Sequence, residues 1–331
     1  MLQLILSLIR QFFLTERVNG EKMFLGLLPH TEDERDYQFS MLGGIFGYTP
    51  KERKNEIAIV DVKNQGSLNT CVWNSATVQK EVDEKVALSV KYIVAQARAK
   101  GRCGWTGFAQ LRDAQKTLVD TGICEETLFP DVKAGWPLYS DPAQITYEMD
   151  VNAAKHKSSS FFTVTTKDEY LKAIDDGHVI HTGTTWYTGY NSANLDATAI
   201  LKPRSGTIVG GHAFVCVGYD LDKSLLKFQN SFGPLWGDHG CFYVIMSDWF
   251  GGMAFPGFIN LDLPQTSLWA MYEGKDVKGA GPAIYRIVNG AKCAFTSEAT
   301  FNKHGGSFNP RTWIQISDSL LNSIPVGPNM I

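Results

Sequence analysis

One stretch constrains this chain more than any other: Val62-Lys63-Asn64-Gln65-Gly66-Ser67-Leu68-Asn69-Thr70-Cys71-Val72-Trp73-Asn74-Ser75. Small and polar residues run up to Cys71; behind it Ser75, Val78 and Val82 recur at helical spacing, with Ala76 beside them. The spacing predicts a helix that starts at Cys71, with Thr70 or Asn69 able to cap it. A thiol at a helix start sits beside unpaired backbone N–H groups and the positive end of the dipole. Both favour the thiolate, the nucleophilic form. A lone cysteine is more often an ordinary buried residue, so this reading needs partners.

Two later stretches supply them. Gly210-Gly211-His212-Ala213-Phe214-Val215-Cys216-Val217-Gly218-Tyr219 carries a glycine-preceded histidine into an apolar strand. A turn-like Asp220-Leu221-Asp222-Lys223-Ser224 leads to a second strand, Leu225-Leu226-Lys227-Phe228-Gln229-Asn230. Paired as an antiparallel hairpin centred near residue 221, the strands make His212 and Asn230 cross-strand neighbours. An amide oxygen beside an imidazole fixes its tautomer and leaves the other ring nitrogen for a thiol. Gln65, ahead of Cys71, can donate its side-chain amide to an oxyanion together with the Cys71 N–H.

The order Gln65, Cys71, His212, Asn230 resembles that of papain-like cysteine peptidases, and of their short bacterial and phage members in particular. Val62–Ser67 looks like the family's stretch before its nucleophile, and Asn230-Ser231-Phe232-Gly233-Pro234-Leu235-Trp236-Gly237-Asp238-His239-Gly240 looks like its NSWGxxWGxxG segment. His212 follows Cys71 within the family's downstream range of about 130–150 residues. The resemblance implies a cysteine endopeptidase acting on peptide or protein substrates without cofactor or metal. It would use Cys71, His212 and Asn230 as a triad, and Gln65 as oxyanion donor. It implies an α+β, papain-like two-lobed fold: a helical lobe, an antiparallel β-barrel-like lobe, and here a small α+β C-terminal module. Three departures stand out. Leu68 occupies the position of the family's usual cysteine, Val72 that of the aromatic after the nucleophile, and Phe232 that of the tryptophan covering the His–Asn contact.

Composition narrows the rest. A net charge of −3 over 331 residues, with basic residues scattered, excludes a nucleic-acid partner held by bulk electrostatics. The six cysteines (71, 103, 124, 216, 241 and 293) include no CxxC pair and no zinc spacing. With Cys71 free, five remain and cannot all pair. Cys216 and Cys241 read as core residues, while pairing of Cys103 with Cys124 stays open. A reducing compartment of synthesis is favoured.

Four divisions are expected: an N-terminal amphipathic docking helix (1–23), a peptidase domain (24–265), a linker (266–283) and a small recognition or assembly module (284–331). The first 14 residues are the most apolar stretch, yet they lack the charged start and cleavage site of a signal peptide and are too short to span a membrane. Docking on a protein is the preferred role of this segment, with membrane-surface contact as the other reading. There is no long helical pro-segment ahead of Cys71, so self-covering of the site would fall to the first ~50 residues or to an external partner. Helices are expected over 88–97, 111–119 and 167–176, strands over 159–165 and 179–182, and a long aromatic connection over 186–211. Residues 101–107 form a glycine-punctuated loop suited to close backbone approach. His178 and His181 read as structural. In the tail, Ile284–Gly290 and Lys292–Phe295 read as a hairpin about Asn289-Gly290, with Ser297 and Ser317 capping two short helices.

Two other functions fit parts of this pattern. A structural or binding component of a virion or cell-envelope assembly would use the same scaffold without chemistry. An acyl transferase acting on amines would share the Cys–His pairing but would place an acidic group where Asn230 stands.

Overall fold

The structure, a computed structural model, describes residues 15–331 apart from 19–20, 31–32, 34–35, 43–44, 46, 105–106, 192–194, 262–271, 307–312 and 317. The expected docking helix over 1–14 lies outside the described residues. Downstream of it, Thr15–Val18 (β1) and Glu21–Phe24 (β2) pair as an antiparallel hairpin with Thr15 opposite Phe24. This corrects the helical reading of residues 15–23. Asn19-Gly20 is a strong hairpin signal, and it outweighs the apolar pattern upstream.

The first half folds as helices: Cys71–Glu84 (α1), Val90–Ala99 (α2), Leu111–Asp120 (α3), Trp136–Tyr139 (α4) and Tyr147–Ala153 (α5). Ser89 caps α2 by accepting from the Tyr92 amide, as a serine ahead of an amphipathic run should. The apolar faces of α1, α2 and α3 meet in one core that includes Val72, Ala76, Ile93, Val94, Ala114 and Leu118. This is the helical lobe.

The second lobe is a sheet. Its strands are Tyr37–Gln38 (β3), Lys54–Glu56 (β4), Ser160–Val164 (β5), Ile180–Tyr187 (β6), Ile200–Leu201 (β7), Ile208–Asp220 (β8), Leu225–Gln229 (β9), Cys241–Ile245 (β10) and Gly257–Leu261 (β11). Among the described residues these nine join in the order β3-β5-β11-β6-β8-β9-β10-β7, with β4 added on β8. The connection expected over 186–211 is shorter than read, because β6 continues through Tyr187 and β8 begins at Ile208. Their β-branched and aromatic residues pair across the ladder, Thr184 opposite His212. The helix expected near 167 is Lys167–Asp175 (α6), capped by Thr166 accepting from the Glu169 amide.

A buried polar knot fixes α1 against the sheet. Gln79 Nε2 donates to the carbonyls of Val179 (3.0 Å) and Phe258 (2.7 Å), and its Oε1 accepts from Gln115 (2.9 Å) and Asn260 (3.0 Å). Every polar atom of that carboxamide is therefore satisfied, so α1 has one setting against β6 and β11. Gln115 Nε2 also lies 2.8 Å from His181 Nδ1, in keeping with a structural role for that histidine.

The tail forms a further sheet in the order β14-β13-β12-β15, from Asp276–Lys278 (β12), Ile284–Val288 (β13), Ala291–Ala294 (β14) and Ile314–Gln315 (β15). The hairpin about Asn289-Gly290 is present, and Ser297 caps Glu298–Lys303. Ser317, the other expected cap, lies outside the described residues. The linker reading of 266–283 needs correcting, since β12 falls inside it and pairs with both β13 and β15. Val277 in β12 is fully buried, so an apolar residue in a glycine-rich run served as a strand interior. Tyr272, Val277, Ile287 and Ile316 belong to the same apolar cluster as the main sheet.

Candidate active site

Cys71 opens α1, as its spacing predicts, but the cap differs from expectation. Thr70 stands at the N-cap and makes no side-chain cap; its hydroxyl and carbonyl both accept from Asn74 Nδ2 at 3.0 and 2.8 Å. The first amides of the helix are thus left to act on the sulfur. Backbone N–H groups of Ala213, Gly26, Val72 and Cys71 itself all favour thiolate. Burial still prevails and pushes the thiol up to about 11, so Cys71 rests as a neutral thiol.

His212 lies on β8, and Ala213, the next residue, presents its amide to the sulfur. The imidazole Nε2 is 2.7 Å from Asn230 Oδ1. The Ser231 amide donates to the same oxygen at 2.7 Å; a backbone N–H can only donate, so it fixes which end of the Asn230 carboxamide faces the ring. Nε2 therefore carries the proton and Nδ1 is the basic nitrogen. Nδ1 is buried, with no hydrogen-bond partner among the described residues. Burial lowers the His212 pKa to about 4, against the opposing pull of Asn230, so the ring is neutral.

Two aromatics enclose the imidazole. Phe232 stacks on its face, with centroids 4.6 Å apart and planes at 22°, and Trp186 meets it edge-on at 4.6 Å. Phe232 thus excludes water from the His212–Asn230 bond although it is a smaller ring than tryptophan. Trp186 was not singled out for this position from sequence. It stands in the run Thr184-Thr185-Trp186-Tyr187, whose strand character was the available signal.

Gln65 reaches the site by backbone pairing. Its amide donates to Ser231 O at 2.9 Å, the Gly233 amide donates to Lys63 O at 3.0 Å, and Asn64 bridges Phe232. The two sequence motifs therefore lie side by side as one short ladder. The Gln65 side chain donates to Leu68 O at 2.8 Å and accepts from Ser231 Oγ at 2.6 Å. Lys63, in the same stretch, is held to Glu81 of α1 at 2.7 Å in a buried ion pair.

The chain's own residues 25–28 lie over the thiol, inside the first ~50 residues expected to cover the site if the chain covers itself. The Gly26 amide donates to Cys71 Sγ at 3.2 Å. The Ala109 amide donates to Gly26 O at 3.0 Å, the Leu28 amide to Ala109 O at 2.9 Å, and the Leu27 amide to Gly211 O at 3.2 Å. A Cβ on Gly26 would stand 2.2 Å from Asn69 O, and one on Gly211 would stand 2.5 Å from Leu27 O, so both glycines permit the close approach. Leu27 is 2 % exposed and packs with the helical-lobe core, while Leu25 packs with that of the sheet. Burying one leucine is worth about 1.5–3 kcal/mol and each backbone bond about 0.5–1.5 kcal/mol, so the segment is held firmly but reversibly. Under it Cys71, His212 and Gln65 are 0 % exposed and Asn230 is 1 % exposed.

All six cysteines are free and buried, which leaves Cys103 and Cys124 unpaired. Among the described residues no group of acidic, histidine and cysteine side chains is placed to hold a metal ion, and no helix is long and apolar enough to cross a membrane.

A helical lobe with a cysteine at the head of its long helix, set against a sheet lobe carrying histidine and asparagine, is the papain-like cysteine protease fold. The chain is similar over that fold to xylellain, a cysteine protease from Xylella fastidiosa: 20 % identity, 72 % of this chain and 96 % of that one, TM-score 0.60. It is also similar to proCathepsin B S9 from Trypanosoma congolense, at 12 % identity over 78 % of this chain and 89 % of that one, TM-score 0.52. No protein-family model and no curated protein matches the chain.

Proposed function

We propose that this chain is a cysteine endopeptidase in which Cys71 is the nucleophile, His212 the general base and acid, Asn230 the group that orients His212, and Gln65 an oxyanion donor. The observation that carries this reading is the 2.7 Å His212–Asn230 bond beneath Phe232. It sets the imidazole tautomer and leaves Nδ1 as the base on the lobe that faces the Cys71 thiol.

The chemistry follows from those roles. The sulfur adds to a peptide carbonyl carbon as His212 takes the thiol proton. The resulting oxyanion is met by the Gln65 side-chain amide and the Cys71 N–H. Collapse expels the amine, which leaves with the proton from His212. Water, deprotonated by His212, then attacks the thioester; collapse frees the acid and returns the proton to Cys71. Asn230 holds a neutral imidazole in one orientation, and no acidic group takes its place, which favours hydrolysis over transfer to an amine.

A peptide library offered to the Leu27→Asp chain, whose cleft lacks its apolar cover, tests the reading. Cleavage that disappears when Cys71→Ala is added supports it. Cleavage that persists without the thiol refutes it.

A further inference from the structure

Thr146 and Thr166 head α5 and α6 in extended backbone, with ψ of 161° and 160°, and each hydroxyl accepts from the third amide of its helix. Thr70 heads α1 with φ −108° and ψ 19°, and its hydroxyl makes no such bond. The difference is Asn74. Its Nδ2 donates to the Thr70 carbonyl at 2.8 Å and to the Thr70 hydroxyl at 3.0 Å, while its own amide donates to the same carbonyl at 2.9 Å. A carbonyl only accepts, so the nitrogen end of the Asn74 carboxamide has to face it. The oxygen end is then buried with no hydrogen-bond partner among the described residues. A leucine of similar shape would avoid that cost, so what asparagine adds here is its donor.

The Thr70 carbonyl shares a peptide group with the Cys71 N–H, and that group is planar and stiff. Whatever fixes the carbonyl therefore fixes the N–H. If Thr70 took up the capping conformation, its ψ would turn from 19° to the 160° of Thr166 and swing the Cys71 N–H away from the site. We propose that Asn74 is a positioning residue: it holds the Thr70–Cys71 peptide so that the Cys71 N–H faces the oxyanion, and it keeps the Thr70 hydroxyl from capping α1. The inference rests on the cysteine endopeptidase reading for the oxyanion, but the hold on Cys71 can be measured without catalysis, because the same N–H favours the thiolate.

The test is a double-mutant cycle between Asn74 and Thr70 in the Leu27→Asp chain, where reagents reach the thiol. Peptide hydrolysis is read beside Cys71 alkylation by iodoacetamide, followed by mass spectrometry of the Cys71 peptide. Asn74→Leu should lower kcat by roughly 10²-fold with KM little changed. It should also slow alkylation by about 3-fold or more. Adding Thr70→Ala removes the hydroxyl that would cap, while the backbone bond between residues 74 and 70 remains, so most of both losses should be recovered. Rates that Asn74→Leu leaves unchanged overturn the proposal, and so does a loss that Thr70→Ala fails to relieve. Asn74→Ala, which keeps a strong helix former in α1, repeats the cycle if leucine prevents folding. The other five cysteines are buried and label in a chain that has failed to fold, so each variant reports its own state. Slower alkylation in Asn74→Leu, where the Leu27→Asp parent cleaves nothing, leaves the hold on Cys71 standing and removes the peptidase. Cleavage by the parent that Asn74→Leu leaves unchanged does the reverse.

Discussion

His212 and Asn230 are bonded at 2.7 Å without standing opposite one another in the ladder. In β8–β9, Val215 pairs with Gln229 and Cys216 with Phe228 before a register shift ahead of Gly218. By that register Asn230 falls beside Phe214, two residues from His212 and on the same face. The contact is diagonal, made by two side chains that reach along the sheet. The same Asn230 oxygen accepts from the amide of the next residue, Ser231, at 2.7 Å.

Replacing Asn230 with Ala should therefore leave the buried His212 Nε2–H without a partner. An unmet buried group costs about 1–3 kcal/mol, so kcat should fall on the order of 10- to 100-fold with KM little changed. Steady-state kinetics on the Leu27→Asp background measure this. An unaltered kcat would make the bond structural only.

For Gln65→Ala the expected loss is larger. Removal of one oxyanion donor costs roughly 10²–10³ in kcat. The side chain also bonds Leu68 O and Ser231 Oγ, so a drop in melting temperature is expected beside the kinetic loss. Gln65→Glu retains an acceptor for Ser231 but has no N–H to donate and carries an added charge, so it should not restore kcat. Restoration by Glu would assign Gln65 to the Ser231 contact alone.

Acid should destabilise the fold through two buried histidines. Burial lowers the pKa of His181 from 6.5 to about 3 and that of His212 from 6.5 to about 4. Each folded value lies below the unfolded one, so the unfolded chain takes up protons first as pH falls. The stability is present above pH 6.5 and is lost as pH drops toward 4 and 3, with a slope of at most about 1.4 kcal/mol per unit for each group. Urea midpoints at pH 7, 5.5 and 4.5 should fall in that order, and His181→Gln should reduce the dependence. An identical pH dependence in that variant would contradict the assignment.

Much of this site was legible because its parts are local motifs. The helix starting at Cys71, the Gly211-His212 strand and the Asn230-Ser231-Phe232 segment each announce themselves within a few residues. The cover over Cys71 does not, since it acts through backbone N–H and C=O groups that every residue carries; only Gly26, by having no Cβ, marks the place. The hairpin turns later than residue 221, with Asp220 opposite Leu225, and the register shift ahead of Gly218 offsets only one residue of that difference. Asp276–Lys278 reads as linker in sequence because glycines flank it, although Val277 supplies the one apolar side chain that a short central strand buries.

The position of β12 sets the expected result of truncating the chain after Gly281. Such a cut strands Asp276–Lys278 without β13 and β15, and it removes the Arg286 guanidinium that holds Asp276 at 2.7 and 2.9 Å. Val277 and Tyr272 would be exposed, and the truncated chain should aggregate or melt at lower temperature. A soluble product with an unchanged melting point would restore a separable module beginning near residue 284.

Hydrolysis of an unfolded protein substrate by the Leu27→Asp chain, with and without Cys71→Ala, tests the central claim most directly. The account predicts new internal peptide ends from the first and none from the second, with both proteins folded. Equal cleavage by the two, or no cleavage by a Leu27→Asp chain whose Cys71 is rapidly alkylated, would contradict it.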